Sequence, residues 1–164
     1  MLESKRLIYD FWTENDYKEL KDILGNPAVC EFLPGNKQKS DEELQKWLNF
    51  YVRSNGDAYG NRIYKVILKD TQEVIGYGGL CYVKEFEKIE IMYGFKEEAW
   101  GKGFATEVGL HLKTLAKELN YNSLIALADI HNEGSNRVLE KIGYTKIKQI
   151  HLWGLDLFYY EMEI

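Results

Sequence analysis

The stretch Ala99-Trp-Gly-Lys-Gly-Phe-Ala-Thr-Glu107 constrains the fold more than any other part of the chain. A strand-like run from Ile89 to Phe95 precedes it. Apolar residues at Phe104, Ala105, Val108, Leu112, Leu115, Ala116 and Leu119 follow. Their spacing of three and four predicts a helix with one buried stripe, from about Gly103 to Leu119. Gly101 and Gly103 fall where the chain enters that helix, and without a Cβ their backbone lets N–H groups converge on a ligand. A first helical turn leaves about four N–H groups unpartnered. A diphosphate can satisfy several of them while meeting the positive end of the helix dipole. The dipole contributes roughly 0.3–1 kcal/mol per favourable charge. Hydrogen bonds to a charged group contribute about 1.5–3 kcal/mol each, so converging amides outweigh the dipole. Lys102 adds a mobile cation. On spacing alone, a glycine-softened turn with no ligand is the alternative.

Two other phosphate loops do not fit. A Walker loop needs Ser or Thr after Gly-Lys, and here Gly103 follows Lys102. The dinucleotide fingerprint wants a small third residue where Thr106 stands, with an acidic residue about 20 positions on, where Tyr121 and Asn122 mark a turn.

Trp100-Gly-Lys-Gly-Phe-Ala-Thr-Glu107 resembles the acetyl-CoA loop of the GNAT N-acetyltransferases, above all the branch with the ribosomal-protein N-terminal acetyltransferases. A second motif of that branch reads here Asn132-Glu-Gly-Ser135-Asn-Arg-Val-Leu-Glu-Lys141-Ile-Gly143-Tyr144. Two motifs in order are far more specific than one, and the resemblance is weakest before Asn61. It implies acetyl-CoA as acyl donor, held by Trp100, Gly101, Lys102, Gly103, Phe104, Ala105 and Thr106, with Asn132 bonding the cofactor's amide portion. It places the acetyl group near Gly94 and Phe95. Many relatives begin the loop with Gln or Arg instead of Trp100, but any residue supplies a backbone amide.

The 164 residues and 19.2 kDa are expected to form one N-acetyltransferase domain over 1–164. A net charge of −5 gives no reason to expect nucleic-acid binding and is mildly compatible with a cationic amine. Cys30 and Cys81 form no metal or redox spacing, and no metal is expected. The first six residues lack an apolar signal core, and no apolar run approaches the ~20 residues that span a bilayer. A cytoplasmic protein, monomer or homodimer, without a membrane partner, is the expectation.

In order, Arg6 to Trp12 reads as a strand, and Thr13 is the expected cap of a helix that Gly25 and Pro27 end. Ser40-Asp-Glu-Glu43 is a capping box for a second helix with Leu44, Trp47, Leu48 and Tyr51 on one face. Strands follow at Ile63 to Lys69, Val74 to Val83 and Lys88 to Phe95. After the long helix, Ser123 to Ile130 reads as a strand buried on both faces. Ser135 to Gly143 is a capped helix, and Thr145 to Ile164 a terminal hairpin. The order implies an α/β fold, a three-layer α/β/α sandwich on one mixed sheet. The resemblance adds that the parallel strands flanking the long helix splay apart, leaving backbone groups for the pantetheine arm.

Acetyl transfer needs positioning, an oxyanion donor and a proton acceptor. Positioning can supply on the order of 7–11 kcal/mol. A backbone N–H near Gly94 or Phe95, at a strand end or bulge, is the candidate oxyanion donor. Glu90 interrupts an apolar strand and is the candidate base, directly or through water, with a raised pKa if buried. A strand-face glutamate paired with a lysine is its structural alternative. Deprotonating a lysine side chain at pH 7 costs about 4.6 kcal/mol, an α-amine only about 1 kcal/mol. Ser135 has two open roles, helix cap or, by resemblance, proton donor to the departing thiolate. Leu139 stands where many relatives carry a tyrosine acid. His111 is read as a surface or packing residue, and Phe32 and Tyr51 as candidate acceptor-pocket residues. The expected activity is acetyl transfer by direct attack of a primary amine, either a protein N-terminus or a small amine. A catalytically idle acyl-CoA-binding module is the alternative.

Overall fold

The computed structural model describes residues 2–164. Met1, the first residue of the expected domain, lies outside them. One eight-stranded sheet is formed by β1 (Leu2–Glu3), β2 (Leu7–Phe11), β3 (Arg62–Leu68), β4 (Val74–Val83), β5 (Lys88–Phe95), β6 (Ser123–Asp129), β7 (Thr145–Leu152) and β8 (Leu155–Glu163). Their spatial order is β1-β2-β3-β4-β5-β6-β8-β7. All neighbours are antiparallel except β5 and β6. Helices α1 (Tyr17–Leu24), α2 (Pro27–Cys30) and α3 (Asp41–Arg53) precede β3, α4 (Phe104–Glu118) crosses from β5 to β6, and α5 (Glu133–Ile142) follows β6.

Alternation along the strands sends side chains to two separate cores. Val108, Leu112 and Ala116 of α4 and Leu139 and Ile142 of α5 pack on one face with Ile89, Ile91 and Phe95. Leu20, Ile23 and Leu24 of α1 and Leu44, Leu48 and Tyr51 of α3 pack on the other with Tyr77 and Met92. The three-layer mixed α/β architecture is therefore as expected.

Strand β5 meets β6 at a single register position, Glu90 with Ile125. Beyond it the two strands part, so the expected splay is present. Among the described residues, no helix is long and apolar enough to cross a membrane.

Several local expectations are corrected. Thr13 does not cap α1; Asp16 stands at the N-cap. Its carboxylate is drawn back to the Thr13 N–H and hydroxyl (2.7 and 3.0 Å) and to Lys65 (2.9 Å), so it caps nothing itself. Pro27 ends no helix but starts α2, where a missing N–H costs nothing and the Asn26 side chain accepts from the Ala28 N–H. The short β1 and α2 were not anticipated. The capping box of α3 is present in full, with Ser40 accepting from the Glu43 N–H and Glu43 accepting from the Ser40 N–H.

Candidate active site

Because β5 and β6 are parallel, their carboxyl ends lie together, and the N-termini of α4 and α5 open at that end, where α/β sheets bind ligands. The α4 terminus is bare. Gly103 is its N-cap with φ +80°, Gly101 has φ +72°, and no side chain caps the helix. Both angles are left-handed, the region glycine adopts without penalty. From Gly101 to Thr106 no backbone N–H donates to a group among the described residues. Trp100, Gly101, Lys102 and Gly103 are exposed, Phe104 is buried, and Ala105 and Thr106 lie between.

The loop is braced from both sides. Trp100 Nε1 donates to the Phe95 carbonyl at 3.0 Å, fastening the loop to the end of β5. Arg6 Nη1 donates to the Lys102 carbonyl (2.8 Å), and its guanidinium lies over the Phe104 ring. Arg6 Nε and its backbone N–H both bond Glu107 (2.7 Å each), which also accepts from Ser4 (2.6 Å). Burial raises the Glu107 pKa, but these hydrogen bonds more than reverse it and hold the carboxyl ionised below its usual range. Arg6 and Ser4 carried no sequence signal. His111 stacks on Tyr9 with ring centroids 4.0 Å apart, a packing role as read.

The α5 terminus is closed. Asn132, not Ser135, is its cap: Asn132 Oδ1 accepts from the Ser135 N–H at 3.2 Å. Helix α5 begins at Glu133, two residues before Ser135, so the side chain in capping position is the asparagine. Ser135 Oγ instead shares a hydrogen bond with the Tyr93 hydroxyl (3.1 Å). Burial pushes that phenol up to about 12, and the Ser135 bond opposes it. Sequence reasoning missed Tyr93; strand parity sets it opposite Glu90, but nothing in the sequence says where α5 lands.

No bulge occurs at Gly94 or Phe95, since the β4–β5 register runs unbroken from Gly76–Phe95 to Val83–Lys88. The Lys96 N–H bonds the Ile75 carbonyl. By alternation, the Gly94 N–H also faces β4, whereas those of Tyr93 and Phe95 face the gap toward β6. Of the two candidates only Phe95 presents a free donor.

A cleft of about 230 Å³ runs through this gap. Glu90 and Met92 reach it from the α1–α3 face, Tyr93, Ser135 and Leu139 from the α4–α5 face. Glu90 has no hydrogen-bond partner or lysine among the described residues, so the strand-face ion pair is not formed. Burial pushes its pKa up to about 8, with the Glu85 charge adding to the effect. Phe32 lines the cleft as expected, while Tyr51 is packed in the core and leaves that wall to Trp47. A larger hollow of about 620 Å³ lies behind the loop, against Arg6, Lys96 and Lys102, and touches neither Glu90 nor Ser135.

Residues 6–145 match the model of the acetyltransferase (GNAT) domain. The chain belongs to the GNAT acetyltransferase family. Acetyl transfer is the activity class of a GNAT domain. An uncharacterized N-acetyltransferase of Bacillus subtilis strain 168, YoaA, is 28% identical over 158 residues, covering 89% of this chain and 83% of that protein. A GNAT-family acetyltransferase from Bacillus anthracis superposes with a TM-score of 0.83 at 21% identity, over 99% of this chain and 97% of its own. RimL, a ribosomal L7/L12 alpha-N-protein acetyltransferase solved with coenzyme A, gives 0.81 at 19% identity, over 98% and 96%. These two structures share the GNAT fold with this chain.

Proposed function

We propose that residues 1–164 act as one domain that transfers the acetyl group of acetyl-CoA to a primary amine by direct attack. The observation that carries this reading is the cleft through the β5–β6 gap, with an unpaired carboxyl on one face and a hydroxyl pair on the other. The bare amides from Gly101 to Thr106 take the diphosphate, Asn132 Nδ2 bonds the pantetheine amides, and the gap lets that arm lie along β5. Glu90 removes a proton from the amine, directly or through water. The amine nitrogen then forms the C–N bond at the thioester carbonyl, and the Phe95 N–H stabilises the oxyanion. As the C–S bond breaks, the Ser135–Tyr93 pair gives a proton to sulfur, and the second proton of the amine nitrogen leaves to solvent water, which restores the pair. A thiolate leaves tolerably at neutral pH, so this last step is the least demanding.

RimL is described as acting on a protein α-amine, and a protein N-terminus or a small amine is the acceptor proposed here. Coenzyme A should raise the melting temperature, and acetyl-CoA with an amine panel should release free thiol. Protection without thiol release from any amine would leave an idle acyl-CoA binder. No protection at millimolar coenzyme A would remove the reading altogether.

A further inference from the structure

The walls of the cleft on its α1–α3 side carry more information than the family does. They come from three distant segments: Phe32 and Pro34 after α2, Trp47 on α3, and Trp153 and Leu155 at the β7–β8 turn. All are apolar or aromatic. Trp153 is half exposed and holds φ +54° at the tip of the hairpin, an unusual angle for a bulky residue, so the turn presents that ring at the mouth.

Two carboxyl side chains line the cleft. Glu90 lies within, and Asp129 ends β6 on the same face, because Glu90 pairs with Ile125 and every second residue from there shares its side. Asp129 Oδ1 accepts the His131 N–H, leaving Oδ2 without a partner among the described residues. No lysine, arginine or histidine lines the cleft among those residues. A cation behind its wall, Lys39, is committed: its Nζ donates to the Pro34 carbonyl at 2.7 Å and lies 5.2 Å from the Trp47 ring centre.

We infer that the acceptor is a primary amine bearing an apolar group and no carboxylate beside the amine, which excludes free amino acids. This rests on the acetyl-transfer reading above. With the amine at Glu90, the α-carboxylate of an amino acid would be desolvated among aromatic rings, without a counter-ion, in a cleft that offers no basic side chain. A peptide bond in the same place carries no charge. An alkyl chain needs only the apolar walls. The α-amine of a peptide and a simple alkylamine share this chemistry.

The test compares thiol release from acetyl-CoA with leucine, leucinamide, isoamylamine and a leucine-initiated peptide amide. Leucinamide and isoamylamine should each exceed leucine about 30-fold or more in kcat/KM. Isoamylamine is the decisive arm, because its amine is at least as basic as that of leucine and an advantage cannot come from easier deprotonation. Leucine turned over within threefold of isoamylamine would overturn the inference and leave acetyl transfer standing. Silence with every amine, under protection by coenzyme A, would overturn both. The peptide outpacing isoamylamine supports a polypeptide source, and the reverse supports a small amine. In a second arm, the variant Leu155→Arg supplies the missing cation. It should raise kcat/KM for leucine at least tenfold while KM for acetyl-CoA stays unchanged; no gain for leucine in a variant that still acetylates isoamylamine counts against the inference.

Discussion

The two faces of the sheet around the β5–β6 gap are built on opposite principles. On the α4–α5 face the proposed grip is made of main-chain amides, and side chains such as Trp100 and Arg6 only brace them. On the α1–α3 face the main chain is paired in its ladder, and the chemistry rests on one carboxyl enclosed by rings from distant segments. A backbone site tolerates changes of residue so long as its dihedral angles survive. A side-chain site changes meaning with each substitution. One fold can therefore keep a donor while varying its acceptor.

The largest effect should come from the side-chain face. Glu90→Gln is expected to lower kcat/KM by on the order of 10²–10⁴ at pH 8, the range for a lost general base. With an alkylamine, whose own titration lies near 10.4, the wild-type rate should rise with pH and level off near 8 as Glu90 ionises. The variant should show no inflection there, and an unchanged profile would remove Glu90 as base. The same group sets a stability slope. Its carboxyl stays protonated in the folded chain up to about 8 but ionises near 4.5 when unfolded. The folded state thus holds the extra proton, and stability falls as pH rises between those values. Glu90→Gln should flatten that slope and melt higher than the wild type at pH 8.

On the backbone face, Gly103→Val forces a β-branched residue into φ +80°, a strain of about 1–3 kcal/mol or more. KM for acetyl-CoA should rise roughly 100-fold as the amides turn away, whereas Lys102→Ala should change it only a few fold. Equal losses in the two variants would show that the lysine charge, not the main chain, holds the diphosphate. Tyr93→Phe and Ser135→Ala should each cost about 3–10-fold in kcat, because a thiolate leaves without much help. Smallest is Asn132→Ala, which removes the α5 cap and should cost about 0.5–2 kcal/mol of stability by thermal or urea denaturation.

The contrast between the faces also explains what could be read in advance. Positive φ at Gly101 and Gly103 follows from glycine between strand and helix patterns, and the α4 stripe from its period, so the conformation of the helix entrance was legible in the sequence. Glu90 stood out as one charge in an apolar strand. The caps were misassigned at Thr13 and Ser135 because two capping-type residues lie three positions apart in each case, and only the chain's path selects between them. Trp47 and Trp153 look like any core or turn aromatic in one dimension. Their sharing of one cleft with Glu90 is a product of long-range packing, which no local pattern encodes.

The brace between Arg6 and Glu107 joins positions 101 apart in sequence. The leading segment of the chain is thus mechanically part of a loop it does not adjoin. Proteolytic trimming ahead of Leu7 would loosen the proposed donor grip from a distance. By reciprocity of linkage, an occupied loop would shield that same leader from digestion.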